Sequence, residues 1–170
     1  MLGYKLKQTA LQGMQTSESI VTTDTTQTIT GKKTFTQSID GTGMYAYWGD
    51  LAEVYSSDKN YPKGTLLQFG GDREVTIAIK DVNFVVSDNP AFLINNGEAD
   101  KFEYPIKAAL IGRVQVLVTG QVKKFDRIKL SNIPGVANRC FLNESAIGVC
   151  LEDKNSEEIG LVLCVVRLQF

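Results

Sequence analysis

The sequence predicts an all-β protein in which a short extended stem precedes a compact β-barrel or β-roll domain. Three observations favour this fold class. Eight of the 14 threonines lie within residues 22–36, and threonine is β-branched and favours extended chain. After residue 45, short apolar segments alternate with turn signals rich in glycine, proline, asparagine and aspartate. In that part of the chain no segment keeps a helical period.

Charge and composition exclude several classes of function. The 170 residues include 18 lysines and arginines and 19 aspartates and glutamates, which gives a net charge of −1. This balance argues against nucleic acid or an anionic membrane as a partner. The chain has no histidine, which excludes histidine-based acid–base catalysis and histidine metal ligands. The longest apolar run, about residues 160–166, is far shorter than the roughly 20 residues that span a bilayer.

The three cysteines, Cys140, Cys150 and Cys164, lie among apolar residues and form no CxxC pair. Neither a thiolate zinc site nor a dithiol redox site is therefore expected. We predict three reduced thiols, mostly in the core of a protein that is made in a reducing cytoplasm. The sequence contains no glycine-rich phosphate-binding motif either. We expect no metal and no cofactor.

Residues 1–21 form the first predicted unit, an anchoring arm. Their pattern changes from strand-like alternation over residues 2–6 to a spacing closer to that of a helix around Met14. Gly13 and the polar run that follows Gln15 weaken any long helix. This pattern is typical of a terminal arm that docks on another protein or frays.

Residues 22–43 form the second predicted unit, the stem. Large apolar side chains are too sparse there for one copy to offset the ordering of about 20 residues at 1–2 kcal/mol each. The segment is therefore either a flexible polar linker or a strand ordered by identical copies around a shared axis. In the second case the side chains that meet their copies are Ile20, Ile29, Phe35 and Ile39.

Residues 44–170 form the third predicted unit, a β domain. Period-two alternation places Val75, Ile77 and Ile79 on one face of a strand. Residues 114–118 alternate in the same way. Short connections favour antiparallel pairing, and this number of short strands argues for a barrel or roll. The predicted strands are residues 65–69, 75–79, 83–86, 92–94, 108–119, 127–130, 146–151 and 160–167.

Residues 44–55 hold the densest group of aromatic and acidic side chains, including the only tryptophan. One interpretation is a carbohydrate site, where aromatic faces stack on sugars and carboxylates bind hydroxyls. A second is acid–base chemistry by a carboxylate pair three residues apart. The interpretation that we favour is packing of the aromatic rings on the barrel, with a carboxylate satisfying backbone donors or an arginine. The candidate residues are Tyr45, Tyr47, Trp48, Asp50, Glu53 and Tyr55.

Part of the stem resembles a known family. The phrase TQTITGKKTF at residues 26–35 resembles a recurrent segment of tailed-bacteriophage tail fibres and other virion appendages. In those proteins the phrase recurs along a shaft of intertwined homotrimers. The resemblance therefore implies that residues 22–43 form a homotrimeric stem rather than a linker.

The β domain resembles domains near the end of such appendage proteins, some of which are joined to self-cleaving intramolecular chaperones. Asp50 and Glu53 match the D-x-A-E element of those autoproteolytic modules. Two departures are Phe125, which replaces the glycine usual before Asp126, and the end of the sequence at Phe170 directly after the last predicted strand. The second departure argues against a releasable chaperone tail. The matching phrases are GDLAEVY (49–55), YPKGTLLQFGG (61–71), YPIKAALIGRVQV (104–116), LSNIPGVA (130–137) and AIGV (146–149).

We therefore predict a structural protein of a phage virion, not an enzyme, that is made in the cytoplasm of the host bacterium. It would form a short homotrimeric fibre or a capsid decoration. Residues 1–21 would attach it to another virion protein of the capsid, collar or baseplate. Two alternatives stay open. The first is a receptor-binding fibre that recognises a host surface glycan, and the second is an autoproteolytic, chaperone-like domain.

Overall fold

The computed structural model describes residues 26, 28, 30, 33–34, 36–38, 45–46, 49–141 and 144–167. The chain divides into two units, Met1–Gly43 and Met44–Phe170. Within the described residues the second unit contains ten β-strands and one short 3₁₀ helix, and no α-helix. The predicted all-β fold is confirmed. The strands are β1 (Asp50–Ser56), β2 (Leu66–Phe69), β3 (Val75–Ile77), β4 (Phe84–Val86), β5 (Phe92–Ile94), β6 (Pro105–Val118), β7 (Arg127–Leu130), β8 (Ala137–Cys140), β9 (Gly148–Cys150) and β10 (Gly160–Arg167), and the 3₁₀ helix is Asn96–Lys101.

Five strands close into a barrel in the order β6–β10–β9–β7–β8 and back to β6. Each of these pairs is antiparallel except the last, in which β8 meets β6 in parallel at Ala137 and Val118. Inward-facing valines 114, 116 and 118 are at most 6% exposed, as their alternation predicted. The predicted barrel is confirmed.

The strands β1–β5 form a second region, which we call the outer layer. β6 joins it to the barrel, because the first half of this 14-residue strand pairs with β1 and β4 and the second half pairs with β10. In the outer layer β2 lies between β3 and β4, while β5 is an edge strand parallel to β1. The register of β1 on β6 shifts between Leu51 and Ala52, a β-bulge where β6 passes from one region to the other.

Two buried clusters hold these regions together. The first fills the barrel and extends under the outer layer, and it consists mainly of valine, alanine and cysteine together with Leu66 and Ile128. The second lies on the other face of the outer layer around Leu67 and Phe84, and the rings of Tyr55 and Tyr61 pack against it. β2 and β4 are buried on both faces for this reason, so their sequences show no alternation.

The structure corrects the predicted face of β3. Ile79 is 64% exposed and Ala78 is fully buried, so the alternation that placed Val75, Ile77 and Ile79 together is wrong beyond Ile77. The backbone explains the change, because the Ala78 N–H donates to the Leu66 carbonyl oxygen and the Ala78 carbonyl oxygen accepts the Gly135 N–H. These bonds end the ladder with β2 and turn Ala78 inward.

Candidate functional site

Asp50, the first residue of β1, lies at the seam between the outer layer and the barrel. The preceding Gly49 carbonyl oxygen accepts the Arg113 N–H at 2.9 Å. Gly112 has a φ of +119°, and a Cβ there would meet the Gly49 carbonyl oxygen and lie 2.6 Å from Asp50 Cα. Only glycine permits this approach, so β6 holds the start of β1 by direct backbone contact.

The carboxyl group of Asp50 is buried and incompletely hydrogen-bonded. The residue is 4% exposed, and its Oδ2 atom has no hydrogen-bond partner. Burial raises the pKa of this carboxyl above its ordinary value, while the Ser87 hydroxyl and the Ala91 N–H oppose the shift by hydrogen bonding. Asp50 is therefore the described acidic side chain whose environment most favours the neutral form.

A small cavity of about 250 Å³ lies beside Asp50. Arg113 and Gln115 of β6 line one side, and an ion pair of 3.5 Å between Lys63 and Asp88 borders it. The volume is below the roughly 300–1,000 Å³ that is typical of small-molecule sites. Because Asp50 Oδ2 is itself buried, a ligand in the cavity would not reach that atom without rearrangement.

Glu53 and Tyr55 lie on the opposite face of β1 from Asp50, because side chains an odd number of residues apart on a strand point to opposite faces. The Tyr55 hydroxyl donates to Glu53 Oε2 at 2.8 Å. Burial, assisted by Glu53, raises the pKa of Tyr55 to about 12. The ring of Tyr55 packs on Phe84 and Phe69 with centroid separations of 4.8 and 5.9 Å. A carboxylate pair formed by Asp50 and Glu53 is therefore not assembled within one chain.

The remaining predicted site residues are only partly described. Tyr45 is fully exposed, whereas Tyr47 and Trp48 lie outside the described residues, as do Ile20, Ile29, Phe35 and Ile39 of the predicted trimer contact. A glycan site in this cluster stays a prediction, which a glycan array with Trp48→Ala as control would test. The sequence did not indicate Ser87 or Arg113 as neighbours of Asp50, because only strand pairing brings them close to that residue.

Among the residues that the structure describes, no three histidine, cysteine, aspartate or glutamate side chains gather in a way that could hold a metal ion. Over the same residues, no helix is long and apolar enough to cross a membrane.

The fold defines a class of β domain in which a five-stranded barrel carries a second layer of strands on one long shared strand. Domains of this class are known in bacteriophage phi29. The pre-mature gene product 12 of phi29 matches with a TM-score of 0.60 at 13% identity, over 78% of this chain and 24% of that protein. The C-terminal fragment of gene product 12 matches with a TM-score of 0.53 at 13% identity, over 69% of this chain and the whole fragment.

The N base of the phi29 head fibre gp8.5 also matches, with a TM-score of 0.43 at 18% identity, over 70% of this chain and 98% of that chain. No family model and no curated protein sequence matches the chain. The chain spans about a quarter of the length of pre-mature gene product 12. At 13% identity the likeness to gene product 12 establishes a shared fold, and it confirms the β domain that the resemblance to phage appendage proteins predicted.

Proposed function

We propose that the chain is a structural protein of a bacteriophage virion. The observation that carries this proposal is the fold shared with bacteriophage phi29 gene product 12, whose C-terminal fragment is matched over its whole length. The TQTITGKKTF phrase at residues 26–35 supports the same conclusion independently, because it lies outside the β domain. The protein would be made in the host cytoplasm and act as part of the particle, without catalysis.

We further propose how the chain is organised in the particle. Residues 22–43 form a homotrimeric stem, residues 1–21 bind another virion protein, and residues 44–170 form the displayed β domain. The division of the chain into units at Gly43 and Met44 supports a separate β domain. Burial of Ile29 and Phe35 against their symmetry copies would contribute roughly 1.5–3 kcal/mol for each side chain.

Light scattering of the purified chain tests the stem. A trimer has a mass three times 18.7 kDa. The double variant Ile29→Asp plus Phe35→Asp should be monomeric with a folded β domain, because it places charges on the shared axis. The matched control, Thr28→Asp plus Thr34→Asp, adds the same charge at polar positions that are exposed in the single chain and should remain trimeric. A wild-type monomer, or a double variant that stays trimeric, would contradict the stem.

Self-cleavage near Asp50 is the second candidate function, and the geometry of the seam favours it. The buried Asp50 carboxyl group has a raised pKa and adjoins a peptide group whose carbonyl oxygen accepts the Arg113 N–H. Burial disfavours the charged form of this carboxyl group, and a carboxyl group shifted towards its neutral form is suited to proton donation. The intact mass of freshly translated chain, compared with Asp50→Asn, tests this candidate. A wild-type chain with the full mass of the uncleaved sequence would contradict self-cleavage.

A further inference from the structure

We propose that Cys150 of β9 and Cys164 of β10 form a disulfide bond between these neighbouring strands when the protein passes from reducing to oxidising surroundings. The sequence predicted reduced thiols without a dithiol motif, and the structure brings two of them together. Cys164 Sγ lies 4.0 Å from Cys150 Sγ. Both cysteines are fully buried in the barrel core. Cys140 is elsewhere, with its Sγ 3.5 Å from the carbonyl oxygens of Phe141 and Glu144.

The register of β9 and β10 suits this bond. Cys150 is directly opposite Cys164. The Leu151 N–H donates to the Leu163 carbonyl oxygen at 2.8 Å, so the neighbouring pair is hydrogen-bonded and the cysteine pair is not. The Cys150 backbone instead bonds to the other neighbour of β9, because its N–H donates to the Asp126 carbonyl oxygen and its own carbonyl oxygen accepts the Phe125 N–H.

This position determines the separation of the two backbones. Opposed residues at non-hydrogen-bonded positions have Cα atoms about 4.5 Å apart. Disulfides join Cα atoms roughly 4.4–6.8 Å apart, so the pair lies within the permitted range. Bond formation therefore requires the two sulfur atoms to rotate towards each other, without a shift of either strand.

The two thiols differ in reactivity. The hydrogen bond from Cys164 lowers the pKa of the Cys150 thiol, and the same bond together with burial raises that of Cys164. In the closed pair Cys150 is therefore the more readily ionised thiol, and once the pair is open either thiol can attack the oxidant with the same overall balance.

The oxidant is a low-molecular-weight disulfide such as oxidised glutathione. The Cys150 thiolate attacks one glutathione sulfur, the glutathione S–S bond breaks, and one glutathione leaves as a thiolate. Cys164 then loses its proton and attacks Cys150 Sγ, which displaces the second glutathione. Two protein thiols are oxidised and one glutathione disulfide is reduced to two thiols. Because both cysteines are buried, the first exchange takes place while the chain folds or when the β9–β10 pair opens.

The bond would close a loop of residues 151–163 and join β9 covalently to β10. A disulfide stabilises chiefly by restricting the unfolded chain. Its use in the life of the protein rests on the proposed function, since a virion leaves a reducing cytoplasm for an oxidising medium. The chemistry itself does not depend on that function.

The test is refolding of the full chain in buffers of reduced or oxidised glutathione, followed by alkylation and peptide mass mapping. In the oxidised buffer we expect one Cys150–Cys164 linkage with Cys140 alkylated, and a rise in Tm of about 10 °C that a reducing agent reverses. Oxidation in denaturant is the control, and it should give mixed pairings among the three cysteines. Three alkylated cysteines after oxidative refolding, a linkage to Cys140, or a lower Tm would each overturn the proposal.

Two variants sharpen the result. Cys140→Ala should keep the linkage and the rise in Tm, whereas Cys164→Ala should lose both. If Cys164→Ala fails to fold, the wild-type comparison in the two buffers still decides the proposal, because it needs no substitution. Light scattering of the reduced and oxidised samples is independent of these readouts, so failure of the trimeric stem and failure of the disulfide are distinguishable.

Discussion

The barrel and the outer layer bury apolar side chains of different sizes. The barrel interior is narrow because only five strands enclose it, and its buried side chains are valine, alanine and cysteine with Ile128, while Leu130 and Ile147 are partly buried against them. The outer layer has no closed ring of strands. Its strands β2 and β4 are buried on both faces, and around Phe84 it uses aromatic rings, of which Phe69 is 45% exposed. A closed hydrogen-bonded wall thus allows small side chains to complete a core, whereas an open layer needs large ones.

The largest expected effect is at the seam that joins the two regions. Gly112→Ala should destabilise the protein by more than about 4 kcal/mol, because the new Cβ would collide with the Gly49 and Asp50 backbone. Chemical denaturation of the purified variant measures this loss. Because the clash is with backbone atoms, side-chain repacking cannot relieve it.

Gly70→Ala is the matched control. Gly70 has a φ of +123°, close to that of Gly112, but nothing lies within 4 Å of its added Cβ. It should therefore show only the conformational strain of about 1–2 kcal/mol. Equal losses at the two glycines would show that the seam does not depend on close backbone contact.

The next prediction tests how tightly the side chains of the barrel core are packed. Val116→Leu should destabilise by about 1–3 kcal/mol, because Val116 is fully buried in the barrel core and an added methylene has to displace its neighbours. Val165→Leu makes the same change on β10, where the side chain is 39% exposed, and should alter stability by at most about 0.5 kcal/mol. Thermal unfolding compares the two variants, and a neutral Val116→Leu would mean that the barrel core is loosely packed.

Asp50 makes the seam sensitive to pH. Its pKa in the folded protein is raised above the ordinary 3.8, so the stability that the carboxyl group contributes is present below that value and is lost as pH rises through the folded-state pKa. Asp50→Asn should therefore be more stable than wild type at neutral pH, by an amount that shrinks to nothing in acid below 3.8. Urea unfolding of both proteins across this range measures the difference. If the gain in stability is independent of pH, it comes from packing and not from the charge of Asp50.

Sequence patterns located four of the five strands in each region and missed β1 in the outer layer and β8 in the barrel. β6 alternates over residues 114–118 because one face of the strand is inside the barrel, whereas β10 was recognised by its nearly continuous apolar run. β1 was predicted only as an aromatic and acidic cluster, because both of its faces contact buried clusters. β8 was missed because its four residues include Asn138 and Arg139. The pairings that bring Asp50 to Arg113, or Cys150 to Cys164, join distant segments and are absent from any local pattern.

The smallest expected change in stability is at Phe125. This is a position at which the sequence departs from the phage domains that it resembles. Phe125 occupies the position where the resemblance to phage appendage domains implies glycine, and its φ of +74° lies in the left-handed region. This conformation costs a non-glycine residue roughly 1–2 kcal/mol. The ring is 68% exposed, and its described contact is the Lys124 ammonium group 5.2 Å from its centroid, which is worth about 0.5–1 kcal/mol at an exposed site.

Phe125→Gly should therefore change stability by at most about 0.5 kcal/mol, because relief of strain is offset by the lost ring contact and the added entropy of the unfolded chain. Phe125→Ala loses the same ring and keeps the strain, so it should be less stable than Phe125→Gly by about 1 kcal/mol. Denaturant midpoints of the two variants separate these contributions. If alanine and glycine prove equivalent, the turn relaxes on substitution, and the left-handed backbone is then a consequence of the phenylalanine ring rather than a demand of the barrel.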